Sequence, residues 1–138
     1  MLKHKMLKSY MMCADACAML SYAKRKQVGA CAITHQDVMI YSWNGTASGD
    51  DNTCEDETGA TKSEVLHAES NLVAKAAREG ISLKGSTVVV SLSPCIQCSK
   101  QLYQSGVERV VYKEEYRDTS GIKYLREHGV FVEQYSED

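Results

Sequence analysis

The sequence predicts an α/β protein of three layers, α/β/α, with a central mixed five-stranded sheet flanked by helices. Two observations carry this expectation. A hairpin of two short apolar runs is followed by three strands that are each preceded by a helical segment, and helix-linked strands run parallel where hairpin strands run antiparallel. The run Thr87 to Leu92 is apolar at nearly every position, as in a strand covered on both faces. With 138 residues, 43% of them hydrophobic, residues 1–138 suit one domain large enough to bury a sizeable core.

The elements follow in order. Met6, Tyr10, Cys13, Cys17 and Leu20 recur at steps of three and four, which predicts an amphipathic helix ending near Lys24, Arg25 and Lys26, cations suited to a helix C-terminus. Gly29 to Thr34 and Val38 to Trp43 form the hairpin around His35-Gln36-Asp37. Asn44 to Lys62, with three glycines, is a long polar loop, and loops of that length inside compact domains are usually functional or disordered. A second helix runs from about Leu66 to Arg78 and closes at Gly80. After the strand Thr87 to Leu92, Ser93 as N-cap and Pro94 at the first helical position open a third helix, which ends at Gly106. Val107 to Tyr112 is a strand, Ile122 to Glu127 a helix closed by Gly129, and Val130 to Val132 a last strand.

The formal net charge of -2 and the lack of an arginine-rich or lysine-rich stripe argue against a polymeric nucleic-acid partner and favour a small substrate. No window approaches eighteen consecutive apolar residues, and the lysine-bearing N-terminal segment has no cleavable apolar block, so a cytoplasmic protein with no membrane partner is expected. Six cysteines in such a chain point to reduced thiols. Cys13, Cys17 and Cys31 fit small buried hydrophobes, whereas Cys54, in the polar loop, has no evident role.

The chemistry is concentrated in His67-Ala68-Glu69 and Pro94-Cys95-Ile96-Gln97-Cys98. One imidazole and two thiolates are three ligands for Zn2+, and the fourth tetrahedral position stays open, as in a catalytic site. Both segments open helices, whose positive ends favour the thiolates a metal requires. Zinc bound there supplies Lewis acidity that brings a water toward neutral pKa. Glu69, beside the ligands and not one of them, is placed to take the water's proton to a ring nitrogen of the substrate and later to protonate the departing amine.

The H-x-E and P-C-x-x-C pair is the signature of zinc-dependent nucleobase deaminases. Within that group the chain resembles the deoxycytidylate (dCMP) deaminases, especially short bacteriophage-type members. The resemblance lies in Gln27-Val28-Gly29-Ala30, Trp43-Asn44-Gly45, His67 to Asn71, Leu92 to Cys98, Gln104-Ser105-Gly106, Val110 to Tyr112 and Tyr116. It implies the cytidine deaminase-like fold and hydrolysis of dCMP to dUMP and ammonia, feeding thymidylate synthesis. It also implies that Asn44 binds the sugar hydroxyl, that backbone groups of Ala68 and Ser93 read the cytosine edge, and that Tyr116 lies against the nucleotide. Homohexamers activated by dCTP and inhibited by dTTP with Mg2+ are frequent in this family. That regulatory site would map onto Val28, Gly29, Gly45 and Thr46, with Lys24, Arg25 and Lys26 as triphosphate partners. The chain departs from the family's Gly-Tyr-Asn-Gly-x-Pro by carrying Ser42 and Ala47, which removes two residues that would preorganise the loop.

Charge alone makes Arg117, Lys113 and Arg78 candidate phosphate partners. The loop before His67 holds Cys54 but no histidine, so one catalytic ion and no second, structural zinc is expected. Three other readings stay open. The first is a deaminase of cytosine, cytidine, guanine or tRNA adenosine, which a substrate panel separates. The others are a zinc-stabilised binding module, against which Glu69 argues, and a nucleotide sensor with vestigial turnover.

Overall fold

A computed structural model describes residues 3–137. The elements are α1 (His4–Ala18), β1 (Gly29–Ile33), β2 (Met39–Trp43), α2 (Ala68–Glu79), β3 (Thr87–Leu92), α3 (Ile96–Gln104), β4 (Arg109–Glu114), α4 (Ser120–Glu127) and β5 (Phe131–Gln134). They build one five-stranded sheet in the order β2-β1-β3-β4-β5. β1 is antiparallel to both β2 and β3, and β3, β4 and β5 run parallel, giving the expected mixed sheet.

Strand alternation sorts the core into two layers. Ala30, Ala32, Val88, Val90 and Val110 face α2, α3 and α4 through Leu72, Ala76, Leu102, Ile122 and Leu125. Cys31, Ile33, Val89 and Val111 face α1 through Leu7, Met11 and Ala14. β3 therefore has helices on both sides, which explains its unbroken apolar run. No helix among the described residues is long and apolar enough to cross a membrane.

The first helix departs from the sequence expectation in two ways. Its buried stripe is Leu7, Met11, Ala14 and Cys17; of the expected stripe Cys17 is buried, Tyr10 and Cys13 are half-buried against the same cluster, and Met6 and Leu20 are exposed. Both stripes obey helical spacing, and contact with β1 decides between them. A Cβ on Gly29 would lie 1.9 Å from the Ala14 carbonyl oxygen, so the bare glycine lets α1 sit directly on the strand. The helix also stops at Ala18, well before Lys24. Ser21 pulls the chain into irregular structure: its hydroxyl donates to the Asn44 carbonyl at 2.8 Å and accepts from the Ala23 amide at 3.1 Å, bonds that compete with helical continuation.

Smaller shifts occur elsewhere. β4 begins two residues later than expected and continues to Glu114. The hairpin turn closes through the Asp37 amide bonded to the Thr34 carbonyl, with Asp37 in the left-handed region at φ 63°. The polar loop is tied by bridges from Gly45 to Leu66 and from Glu55 to Thr61, and Cys54 is fully buried within it.

Gly29→Ala is expected to lower unfolding stability by about 2–3 kcal/mol, measured by urea denaturation, because the added methyl forces α1 off the sheet.

Candidate active site

The site forms where the N-termini of α2 and α3 meet beyond the end of β3. His67 is the N-cap of α2 and Cys95 the N-cap of α3, both with extended backbone, so each helix starts one or two residues later than the sequence suggests. Ser93 caps nothing: its hydroxyl accepts the Tyr116 amide at 2.8 Å, and Pro94 is buried ahead of the helix. With Cys95 at the cap and Cys98 one turn on, the two sulfurs approach the imidazole from adjacent positions.

The three ligand atoms lie within 4.8 Å of one another, and His67, Cys95 and Cys98 are the one such group among the described residues. His67 Nδ1 is 3.5 Å from Cys95 Sγ and 3.4 Å from Cys98 Sγ. Bond lengths of about 2.0 Å to nitrogen and 2.3 Å to sulfur give an N···S edge of roughly 3.5 Å in a tetrahedron. The donor set and its spacing therefore fit zinc.

The protonation of this cluster is uneven. A hydrogen bond from Cys98 holds Cys95 down to about 4, against the effect of burial and with help from His67. The same bond, with burial, pushes Cys98 up. His67 is raised chiefly by its bond to Cys95. Burial pushes the Glu69 carboxyl up to about 7; the residue is only 4% exposed. A carboxyl poised near neutrality suits proton transfer in both directions.

Several contacts position these groups, and the sequence singled out none of them as positioning contacts. Ser42, noted only as a departure, donates from its buried hydroxyl to the Ala68 carbonyl at 2.6 Å and fixes the start of α2 to β2. Asn71 donates to the Trp43 carbonyl at 2.9 Å. Ser70 Oγ lies 3.5 Å from Cys98 Sγ and donates to Gln101 Oε1 at 2.8 Å. Gly121, at the start of α4, packs on the cysteine turn: a Cβ there would come within 2.2 Å of the Pro94 carbonyl oxygen and 2.8 Å of the Cys95 carbonyl carbon.

A cavity of about 280 Å³ is lined by His67, Glu69 and Cys95 and also by Arg25 and Lys26. Asn44, Ala68, Ser93, Tyr116 and Val28 are also in its wall, as are Glu55 and Val65 from the long loop. Asn44 Oδ1 accepts the Val28 amide and its Nδ2 donates to the Lys26 carbonyl, both at 2.9 Å, so it holds the cationic segment against the hairpin. Gly29 is buried under α1, Gly45 pairs with Leu66, and Thr46 Oγ1 donates to the Asp51 carbonyl at 2.8 Å; none of these three lines the cavity. Lys24 does not line it either. Of the cations weighed by charge, Lys113 pairs with Asp15 at 2.6 Å, Arg78 with Glu79 at 3.6 Å, and Arg117 lies 5.9 Å from the Tyr116 ring; all three are outside the cavity wall. Glu55, an acid of the polar loop, lines the cavity, where its carboxylate meets backbone amides.

Residues 4–114 match the family profile of the cytidine and deoxycytidylate deaminase zinc-binding region. The crystal structure of a dCMP deaminase from cyanophage S-TIM5, in complex with dCMP and dUMP, superposes with a TM-score of 0.94 at 40% identity, covering 98% of this chain and 100% of that one. The deoxycytidylate deaminase of Mycobacterium phage D29 is 34% identical over 116 residues, 74% of this chain and 89% of its own. ComE operon protein 2 of Bacillus subtilis (strain 168) is 31% identical over 126 residues, 88% of this chain and 66% of its own. The chain spans 30% of the deoxycytidylate deaminase of Enterobacteria phage T2 and 44% of that of Saccharomyces cerevisiae.

Gly121→Ala is expected to speed zinc loss to a chelating dye about tenfold, since outer contacts of this kind tune metal affinity on that scale. Unchanged zinc retention would show that α4 does not position Cys95.

Proposed function

The chain belongs to the cytidine and deoxycytidylate deaminase zinc-binding family, and from that premise we propose that it hydrolyses dCMP to dUMP and ammonia. The observation that carries this reading is the composition of one cavity: its wall holds His67 and Cys95 of the ligand group, the buried Glu69 carboxyl, and Arg25 and Lys26. That combination of chemistry suits a planar amidine base joined through a sugar to a phosphate, and a volume of about 280 Å³ suits a small ligand.

His67 Nδ1 and the sulfurs of Cys95 and Cys98 would hold the zinc, which supplies Lewis acidity that brings a water's pKa toward neutrality. Glu69 accepts a proton from the attacking water and gives it to N3 of the cytosine, which makes C4 electrophilic. It then takes the proton of the hydroxyl newly added at C4 and passes it to the leaving amine, so that the C4–N bond breaks, ammonia departs and a carbonyl remains. Backbone groups of Ala68 and Ser93 are assigned to the cytosine edge and Tyr116 to the nucleotide, a reading supported by the presence of all three in the cavity wall. Asn44 Oδ1 retains a second lone pair for a sugar hydroxyl, since the Val28 amide uses only one.

Arg25 and Lys26 are assigned to the substrate phosphate. Their place in the catalytic wall supports this more than a separate triphosphate site. Control by dCTP and by dTTP with Mg2+, involving Lys24, Val28, Gly29, Gly45 and Thr46, and assembly as a homohexamer are extensions of the family resemblance to this chain.

The test is ammonia release by the zinc-loaded chain with dCMP, deoxycytidine, cytidine, cytosine and guanine side by side, and with dCMP repeated in dCTP or in dTTP plus magnesium. Turnover led by dCMP supports the reading, and a flat effector response removes the regulatory part. Glu69→Gln should retain stoichiometric zinc while kcat falls about 10³-fold, the scale of a lost general acid and base. Retained activity would remove Glu69 from the mechanism.

A further inference from the structure

We propose that Glu55 is a positioning residue for the nucleotide phosphate: its carboxylate latches the backbone at Lys24 and Arg25 and so holds Arg25 in the cavity wall. This inference rests on the dCMP reading of the cavity and names a residue that the reading does not require.

Glu55 Oε2 accepts the Lys24 amide at 2.9 Å and the Arg25 amide at 3.3 Å. These amides have no backbone acceptor among the described residues, and the segment around them has no regular secondary structure. Asn44 secures the segment one to three residues farther along, at Lys26 and Val28. The stretch that carries Arg25 is therefore held by Glu55 on one side and by Asn44 on the other. Without the carboxylate, the Lys24 and Arg25 backbone has only water to satisfy it and regains conformational freedom.

The latch itself stands on a fixed post. Cys54 is fully buried, its carbonyl accepts the Lys62 amide at 2.8 Å, and Glu55 bridges to Thr61. The turn beyond is closed by Asp56 Oδ1, which accepts the Thr58 amide at 2.8 Å and the Ala60 amide at 3.1 Å. The burial of Cys54 thus acquires a reason: it roots the hairpin from which Glu55 reaches across to the cationic segment.

The guanidinium held in this way is available. Lys26 Nζ is engaged by Glu114 at 2.6 Å, whereas Arg25 has no ion-pair partner among the described residues. A planar fork of N–H donors matches a phosphate bidentately, and fixing its backbone in advance removes ordering cost from binding. Glu55 brings a negative charge near the same place, so its contribution is its reach to the two amides and not its charge. Two substitutions separate these properties. Glu55→Gln removes the charge and keeps an acceptor at full length. Glu55→Asp keeps the charge and draws it one methylene short of the amides.

The test uses the zinc-loaded full chain, with steady-state kinetics on dCMP, inhibition by dUMP, and amide hydrogen exchange at Lys24 and Arg25. Glu55→Asp should raise KM for dCMP about tenfold with kcat within about threefold, weaken dUMP inhibition in parallel, and speed exchange at both amides. Glu55→Gln should leave KM within about threefold of the unsubstituted chain and exchange protected. Arg25→Ala should raise KM at least as much as Glu55→Asp. An unchanged KM in Glu55→Asp overturns the latch, as does a rise in KM in Glu55→Gln equal to that in Glu55→Asp. An unsubstituted chain that turns over other substrates and not dCMP removes the proposed function and this role with it; an active one with an unaffected Glu55→Asp removes the latch alone.

Discussion

Three ligand atoms from two helix starts must meet at the spacing of a zinc tetrahedron, and most of the fold between β2 and α4 is arranged around that requirement. His67 and Cys95 are N-caps with extended backbone, which turns their side chains away from the helix axes and toward each other. Each start is fixed from outside. Ser42 bonds the first carbonyl of α2 to the hairpin, and Gly121 lets α4 press against the peptide before α3. Neither contact touches a substrate, yet both set the position of a ligand, and their chemistry is dictated by space: a hydroxyl short enough to reach a buried carbonyl, and a residue with no side chain at all.

The same convergence sets the electrostatics. Helix N-termini present unsatisfied amides and the positive end of the helix dipole, which favours thiolates in a cluster that would otherwise be costly to bury. Glu69 lies inside this arrangement in the first turn of α2, deep enough that burial lifts its carboxyl toward neutrality while the cavity keeps it open to a ligand. A residue with the same identity on an exposed helix start would be a fixed anion. Here its depth suits the carboxyl to proton transfer.

The cavity is also lined by residues outside the helices and strands. Its cationic wall is a segment without secondary structure, held by the Asn44 amide and the Glu55 carboxylate. Helix starts seated on a sheet thus supply His67, Glu69 and Cys95, and a loop segment bound by a few polar contacts supplies Arg25 and Lys26.

The order of elements and the candidate ligand set are legible in local pattern: apolar runs of strand length, helical spacing, and a His-x-Glu with a Cys-x-x-Cys placed at helix starts. Tertiary structure decided what local pattern leaves degenerate. Two stripes on α1 satisfied the same periodicity, and only the close approach of Ala14 to Gly29 selected the buried one. Ser93 has the residue type and position of an N-cap but bonds to Tyr116, because a partner from β4's far end lies within reach in the folded chain. Glu55 reads as one more acid in a polar loop, and its partners are about thirty positions away in sequence. Spacing rules describe neighbours along the chain; contacts made across the fold depend on where the sheet and helices bring distant residues, and that is set only when the whole core closes.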